Sequence, residues 1–150
     1  MRIRAVAILI ENDKVALIER HRAGRHYFTF PGGGVEAGET PEEAVVREME
    51  EETGLRIALQ RKLAHVWFQG NRQEFFLVER LGGEFGTGEG EEYQDPPPYG
   101  SHSFGTYNPI WMPVSELLQN PVLPTEMAAM IVRSVQEGWP ADTFEIQETY

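Results

Sequence analysis

Three glutamates, Glu48, Glu51 and Glu52, carry the clearest chemical signal in this sequence. On a helix advancing about 100° per residue they share one arc, while Val45, Met49 and Thr53 fall on the neighbouring arc. One face therefore packs, and the next presents three carboxylates. Like charges three and four residues apart repel, so this face calls for a positive partner. A hard divalent cation fits, because Mg²⁺ takes oxygen ligands and bridges carboxylates to phosphates; Mn²⁺ is the natural substitute. Arg47 lies four residues before Glu51 and is placed to orient it. Upstream, Gly32, Gly33 and Gly34 let the backbone fold close to such a helix, so that a peptide carbonyl at Gly33 could complete the ligand set. Glu39, at the edge of that glycine loop, is a candidate to support it.

A second group is basic. Arg20, Arg22 and Arg25, with His21 and His26, form a cluster just before the strand that enters the glycines, and they could grip phosphate. A solvated turn is the competing reading, since spacing alone does not fix where these side chains point. The aromatics Tyr27, Phe28, Trp67, Phe68, Phe75 and Phe76 could include a base-stacking surface. In alternating strands only half of them can face a pocket, and the sequence does not say which half. His65 reads as structural; His102 and the acidic residues Glu84, Glu89, Glu91 and Glu92 are weaker candidates for substrate or metal contact.

The run Gly33-x5-Glu39-x7-Arg47-Glu48-Met49-x-Glu51-Glu52-x-Gly54-Leu55 resembles the Nudix box at every specified position. Phe30-Pro31-Gly32-Gly33 is similar to the family's approach to the box, and Trp111-Met112-Pro113 with Glu116-Leu117 to its late strand and helix. The resemblance implies an α/β fold, an α/β/α sandwich with a mixed β-sheet. It also implies Mg²⁺-dependent hydrolysis of a nucleoside diphosphate linked to another moiety. Glu48, Glu51 and Glu52 would then bind metal together with the backbone near Gly33, and Arg47 and Glu39 would organise the unit. The general base differs among family members, which leaves Glu48, Glu52 or a glutamate outside the box. Marks that accompany narrow substrate preferences in the family are missing. Residues 69–73 contain neither the proline associated with ADP-ribose nor the tyrosine associated with dinucleoside polyphosphates, and no coenzyme A pattern precedes the box. By elimination the expected substrate is a nucleoside triphosphate, modified ones included, cut to a monophosphate and pyrophosphate. ADP-sugars, dinucleoside polyphosphates, or a catalytically inactive nucleotide-binding module are the alternatives.

The elements that must position these residues are also legible. Thr40-Pro41-Glu42-Glu43 joins a capping oxygen, a proline at the first helical position and a Glu at the third, and Gly54 suits the left-handed position after a helix ending at Thr53. The apolar run 3–10, the turn Glu11-Asn12-Asp13 and the run 15–18 predict a hairpin. A short strand over 27–30 stops at Pro31. Strands follow over 55–68 and 73–81 and again over 107–112, then a short helix over 115–119 and a helix over 125–136. Residues 82–106 predict a long irregular loop and residues 138–150 a tail.

A chain of 150 residues fits one domain, taken here as 1–150. It has no cysteine, which excludes disulfides, thiolate nucleophiles and Cys-ligated zinc. The net charge of −11 disfavours a nucleic-acid polymer as partner but not a small polyanion bridged by a cation. Neither a membrane span nor a signal peptide is evident, so a cytoplasmic protein acting on a small nucleotide is expected, with a homodimer compatible.

Overall fold

The computed structural model describes residues 2–68, 70–88 and 105–148. Two five-stranded sheets and two α-helices make up the described fold. In the first sheet the order is β10 (Phe144–Glu148), β6 (Leu55–Phe68), β7 (Asn71–Gly83), β1 (Ile3–Ile8) and β5 (Gly32–Gly34). β1 runs parallel to β7 and antiparallel to β5, so the sheet is mixed. The second sheet centres on β3 (Lys14–Arg22), which pairs antiparallel with β2 (Ile10–Glu11), β4 (Arg25–Thr29) and β8 (Asn108–Pro113). β9 (Val122–Leu123) adds to β4 in parallel.

β1 is apolar at nearly every position because both of its faces are covered, as in parallel sheets generally. Ala5, Ala7 and Leu9 pack with Ala44, Val45 and Met49 of α1 (Pro41–Thr53). Val6 and Ile8 face the larger core, which Phe75, Val66, Leu17 and Phe28 share with Met127, Ala128 and Ile131 of α2 (Thr125–Glu137). Helix, sheet and helix thus form layers, the architecture expected from sequence.

The opening hairpin differs from expectation. The apolar run does not pair along its length with 15–18; it changes sheet at Leu9, whose carbonyl accepts from the Ala16 amide at 3.0 Å. Only Ile10 and Glu11 pair across the turn, where Asn12 and Asp13 take left-handed conformations (φ 51° and 60°) that suit a two-residue hairpin. The segment 138–150, read as a tail, instead holds β10. Ile146 and Phe144 alternate inward onto the larger core, and the strand pairs with β6 from Ala64 to Phe68. A short alternating strand next to glycine and proline gives little local signal, which is why it was missed. Of the long irregular segment, β7 takes Gly82 and Gly83, and His102, Glu89, Glu91 and Glu92 lie outside the described residues.

Candidate active site

α1 begins and ends as the sequence dictates. The Thr40 hydroxyl accepts from the Glu43 amide at 3.1 Å and the Glu43 carboxylate accepts from the Thr40 amide at 2.9 Å, closing a capping box that contributes about 1 kcal/mol. At the other end Gly54 sits at φ 84°, and its amide donates to Glu50. Burying Met49 and Val45 against β1 and β6 fixes the helix's rotation, each side chain contributing roughly 1.5 to 3 kcal/mol. The glutamate face is thereby turned towards β5, the edge strand of the first sheet.

Arg47 gathers that face. Its Nε and Nη2 donate to the two oxygens of Glu39 at 2.8 and 3.0 Å, a bidentate pair. Nη1 donates to Glu48 at 2.9 Å and to Glu51 at 3.1 Å, and Nη2 donates also to the Gly34 carbonyl at 3.1 Å. All five guanidinium hydrogens are used. Glu39 in turn accepts from the Glu36 amide at 3.0 Å. These bonds, Arg47's foremost, hold the Glu39 carboxyl at a pKa of about 2. Glu48 is different: burial pushes its carboxyl above the ordinary value and the Glu51 charge adds to this, while Arg47 and the more distant Arg4 pull it down.

The glycines explain the close approach. A Cβ at Gly33 would fall inside the Glu48 carboxylate, so only glycine lets that group settle on the strand. Pairing of Ala5 with Gly33 lies between the bonds Ala7 to Pro31 and Val35 to Ile3, and antiparallel ladders alternate bonded and unbonded pairs. Gly33's amide and carbonyl are therefore committed to β1, whereas those of Gly32 and Gly34 face outward. The Gly32 amide reaches Glu52 at 3.4 Å, on the same side as its own carbonyl. The outward-facing peptide oxygen on the carboxylate side is thus that of Gly32, one residue before the Gly33 carbonyl anticipated from sequence. Carboxylates and a peptide oxygen, with no sulfur or nitrogen among them, suit a hard cation such as Mg²⁺. Half-buried Glu48 and the more open Glu51 repel each other, and such a cation would relieve them.

The basic cluster is divided by strand alternation. Across the β3–β4 hairpin Arg20 pairs with Tyr27 and Arg22 with Arg25 on one face, and His21 pairs with His26 on the other. Arg20, Arg22 and Arg25 line a cleft of about 510 Å³ together with Arg4, Tyr27 and Gln73, whereas the histidines do not line it. The same alternation sorts the aromatics. Tyr27 lines the cleft and the buried Phe68 and Phe75 of the larger core lie beneath it; Phe28 is buried in that core away from the cleft, Phe76 is buried under α1, and Trp67 lies beside Arg72. Arg4 joins the two regions, since it lines the cleft, pairs with Gly34 in register and acts on Glu48.

Sequence reasoning missed Arg4 and Tyr107. Arg4 alternates with Ala5 in β1 and so shares Val6's face, a signal available from the period of two. Tyr107 stacks under the Arg20 guanidinium at 3.8 Å, while Arg20 Nε donates to the Thr106 carbonyl at 2.8 Å. The first contact spans 87 positions and the second 86, from β3 to the residues just before β8, and they leave no local trace. His65, read as structural, bonds Arg72 at 2.8 Å and lies 3.3 Å from the buried Glu74.

Comparison with known proteins identifies the family. The NUDIX domain family model matches residues 1–133, and the chain belongs to that family. It is 42% identical over 96 residues to an ADP-ribose pyrophosphatase of Methanocaldococcus jannaschii, covering 57% of this chain and 56% of that protein. It is 39% identical over 94 residues to an 8-oxo-dGTP diphosphatase of Escherichia coli, covering 58% and 73%. The chain thus spans little more than half the length of the first of these relatives. Among solved structures, an ADP-ribose pyrophosphatase from Streptococcus suis superposes with a TM-score of 0.68 at 22% identity, covering 96% of this chain and 98% of that one. That likeness concerns the fold.

Proposed function

We propose that this protein is a Mg²⁺-dependent pyrophosphohydrolase, with Mn²⁺ as substitute, that acts on a nucleoside triphosphate, modified ones included. Water adds to one phosphorus of the pyrophosphate link, the bridging P–O bond breaks, and a monophosphate and pyrophosphate leave. The observation that carries this reading is the juxtaposition of the Arg47-gathered carboxylates of α1, facing β5, with an arginine-lined cleft.

Glu48, Glu51 and Glu52, with the Gly32 carbonyl, would hold the cation, which when bound neutralises charge on the phosphates and activates water. Arg47 and Glu39 keep the carboxylates in place. Arg20, Arg22, Arg25 and Arg4 take the phosphate oxygens, and Tyr27 offers its ring to the base. Glu48 and Glu52, the second against Gly32, are the candidates for proton acceptor.

A triphosphate is favoured by the missing ADP-ribose and dinucleotide marks, by a cleft of single-nucleotide size, and by similarity to the Escherichia coli diphosphatase. ADP-ribose is the second reading, because the Methanocaldococcus jannaschii relative bears that name at 42% identity. The test is a panel of nucleoside triphosphates, ADP-sugars and dinucleoside polyphosphates with Mg²⁺, products resolved, repeated with Glu51→Gln and Glu52→Gln. Both variants are expected to lose about 100-fold or more in turnover. Undiminished turnover in both would refute the site, and an inert parent protein would favour a nucleotide-binding module.

A further inference from the structure

The histidines turned away from the cleft have a partner of their own. His26 Nε2 lies 2.8 Å from Glu19 Oε2, and the His21 and His26 rings stack with centroids 4.2 Å apart and planes parallel within 1°. One ligand atom from each of Glu19, His21 and His26 falls within 4.8 Å of the others. We propose that these three residues form a second metal site, for a late first-row cation such as Zn²⁺, distinct from the carboxylate helix.

The hairpin builds this arrangement. Ala23 and Gly24 form a two-residue turn with φ 53° and 77°, which makes Arg22–Arg25 the hydrogen-bonded pair and His21–His26 the unbonded one. Unbonded pairs bring their side chains closest. The outward-facing backbone of His21 is taken by Thr106, whose amide donates to the His21 carbonyl at 3.0 Å and whose hydroxyl accepts from the His21 amide at 3.0 Å. Glu19 is fixed from the other side by Asn108, which donates to Oε1 at 3.1 Å. Burial works against ionisation of Glu19, but the bonds from Asn108 and His26 outweigh it and hold the carboxyl below its ordinary value. Oriented ligands backed by outer hydrogen bonds are what a metal centre requires.

Ligand type sets the choice of metal. Tetrahedral zinc with bonds of about 2.1 Å sets ligand atoms about 3.4 Å apart, so the exposed imidazoles must rotate out of their stack and close by roughly 1.4 Å from the present spacing within 4.8 Å. Imidazole favours zinc, nickel and copper over magnesium, which separates this centre from an all-oxygen one. An occupied site would clamp β3 to β4 and, through Asn108, to β8. Arg20 and Tyr107, which stack in the cleft region, are flanked by these same residues. The metal would thus steady one wall of the cleft without touching substrate.

The test is calorimetric titration of tag-free, chelator-treated protein with Zn²⁺ in saturating Mg²⁺, alongside the visible bands of Co²⁺. One Zn²⁺ per chain is expected to bind at micromolar concentration. His21→Ala and His26→Ala should each weaken it by more than tenfold, Asn108→Ala by about tenfold, and Glu52→Gln should leave it unchanged. Circular dichroism without metal checks that the variants fold. Absence of Zn²⁺ binding under saturating Mg²⁺, or binding that survives His26→Ala and is lost with Glu52→Gln, would overturn the proposal. Because no step involves hydrolysis, failure here leaves the pyrophosphohydrolase reading standing.

Discussion

The carboxylate unit and the arginine cleft adjoin at β5 yet are built in opposite ways. In the first, Gly34, Glu39, Arg47, Glu48 and Glu51 lie within 18 positions, and one guanidinium binds them all. In the second, Arg4, Arg20, Arg25, Gln73 and Leu123 come from five strands, and only register brings them together. The local unit is rigid and specifies chemistry; the dispersed one is set by alternation and is where substrate choice can vary.

Gly33→Ala should break the local unit with the largest effect. The added methyl displaces the Glu48 carboxylate, a flexible group, so the fold survives with a small change in Tm while turnover falls about 100-fold, as expected for ångström misplacement. Kinetics and a melting curve on the same sample check this; equal loss of fold and activity would mean the contact is structural.

Arg22→Ala acts on the dispersed region. Arg22 is exposed, so stability should hold while KM rises about tenfold and kcat changes little, the pattern of lost ground-state and transition-state binding alike. A fall in kcat at constant KM would move Arg22 into the chemistry.

Glu39→Gln has the smallest expected effect, present near neutral pH and lost in acid. Glu39's pKa is depressed from 4.5 to about 2, so its ion pair with Arg47 contributes above about pH 4.5 and is lost as pH falls towards 2. The Tm gap between parent and variant should therefore close over that window. A gap constant down to pH 2 would show that the pair contributes nothing through ionisation.

How far the sequence could be read follows from the same contrast. α1 was legible to the residue because Thr40, Pro41, Glu43 and Gly54 act on backbone within one turn of themselves. Arg47's reach to Glu51 followed from helix spacing, but its bidentate grip on Glu39 and its bond to Gly34 depend on the loop's path. The Gly32 carbonyl could not be told from that of Gly33 until the pairing with Ala5 fixed which groups face outward. Arg20 and His21 are adjacent in sequence, yet they serve opposite faces once β3 and β4 pair. The change of sheet at Leu9 and the strand β10 were hidden for the same reason, since partners more than 60 residues away decide them.

The most direct test of the account is Mn²⁺ binding followed by electron paramagnetic resonance on parent, Glu52→Gln and Arg22→Ala proteins without nucleotide. Binding by the parent that drops at least about tenfold in Glu52→Gln and persists in Arg22→Ala would place the cation on the carboxylate unit. Binding unchanged in Glu52→Gln would contradict that assignment.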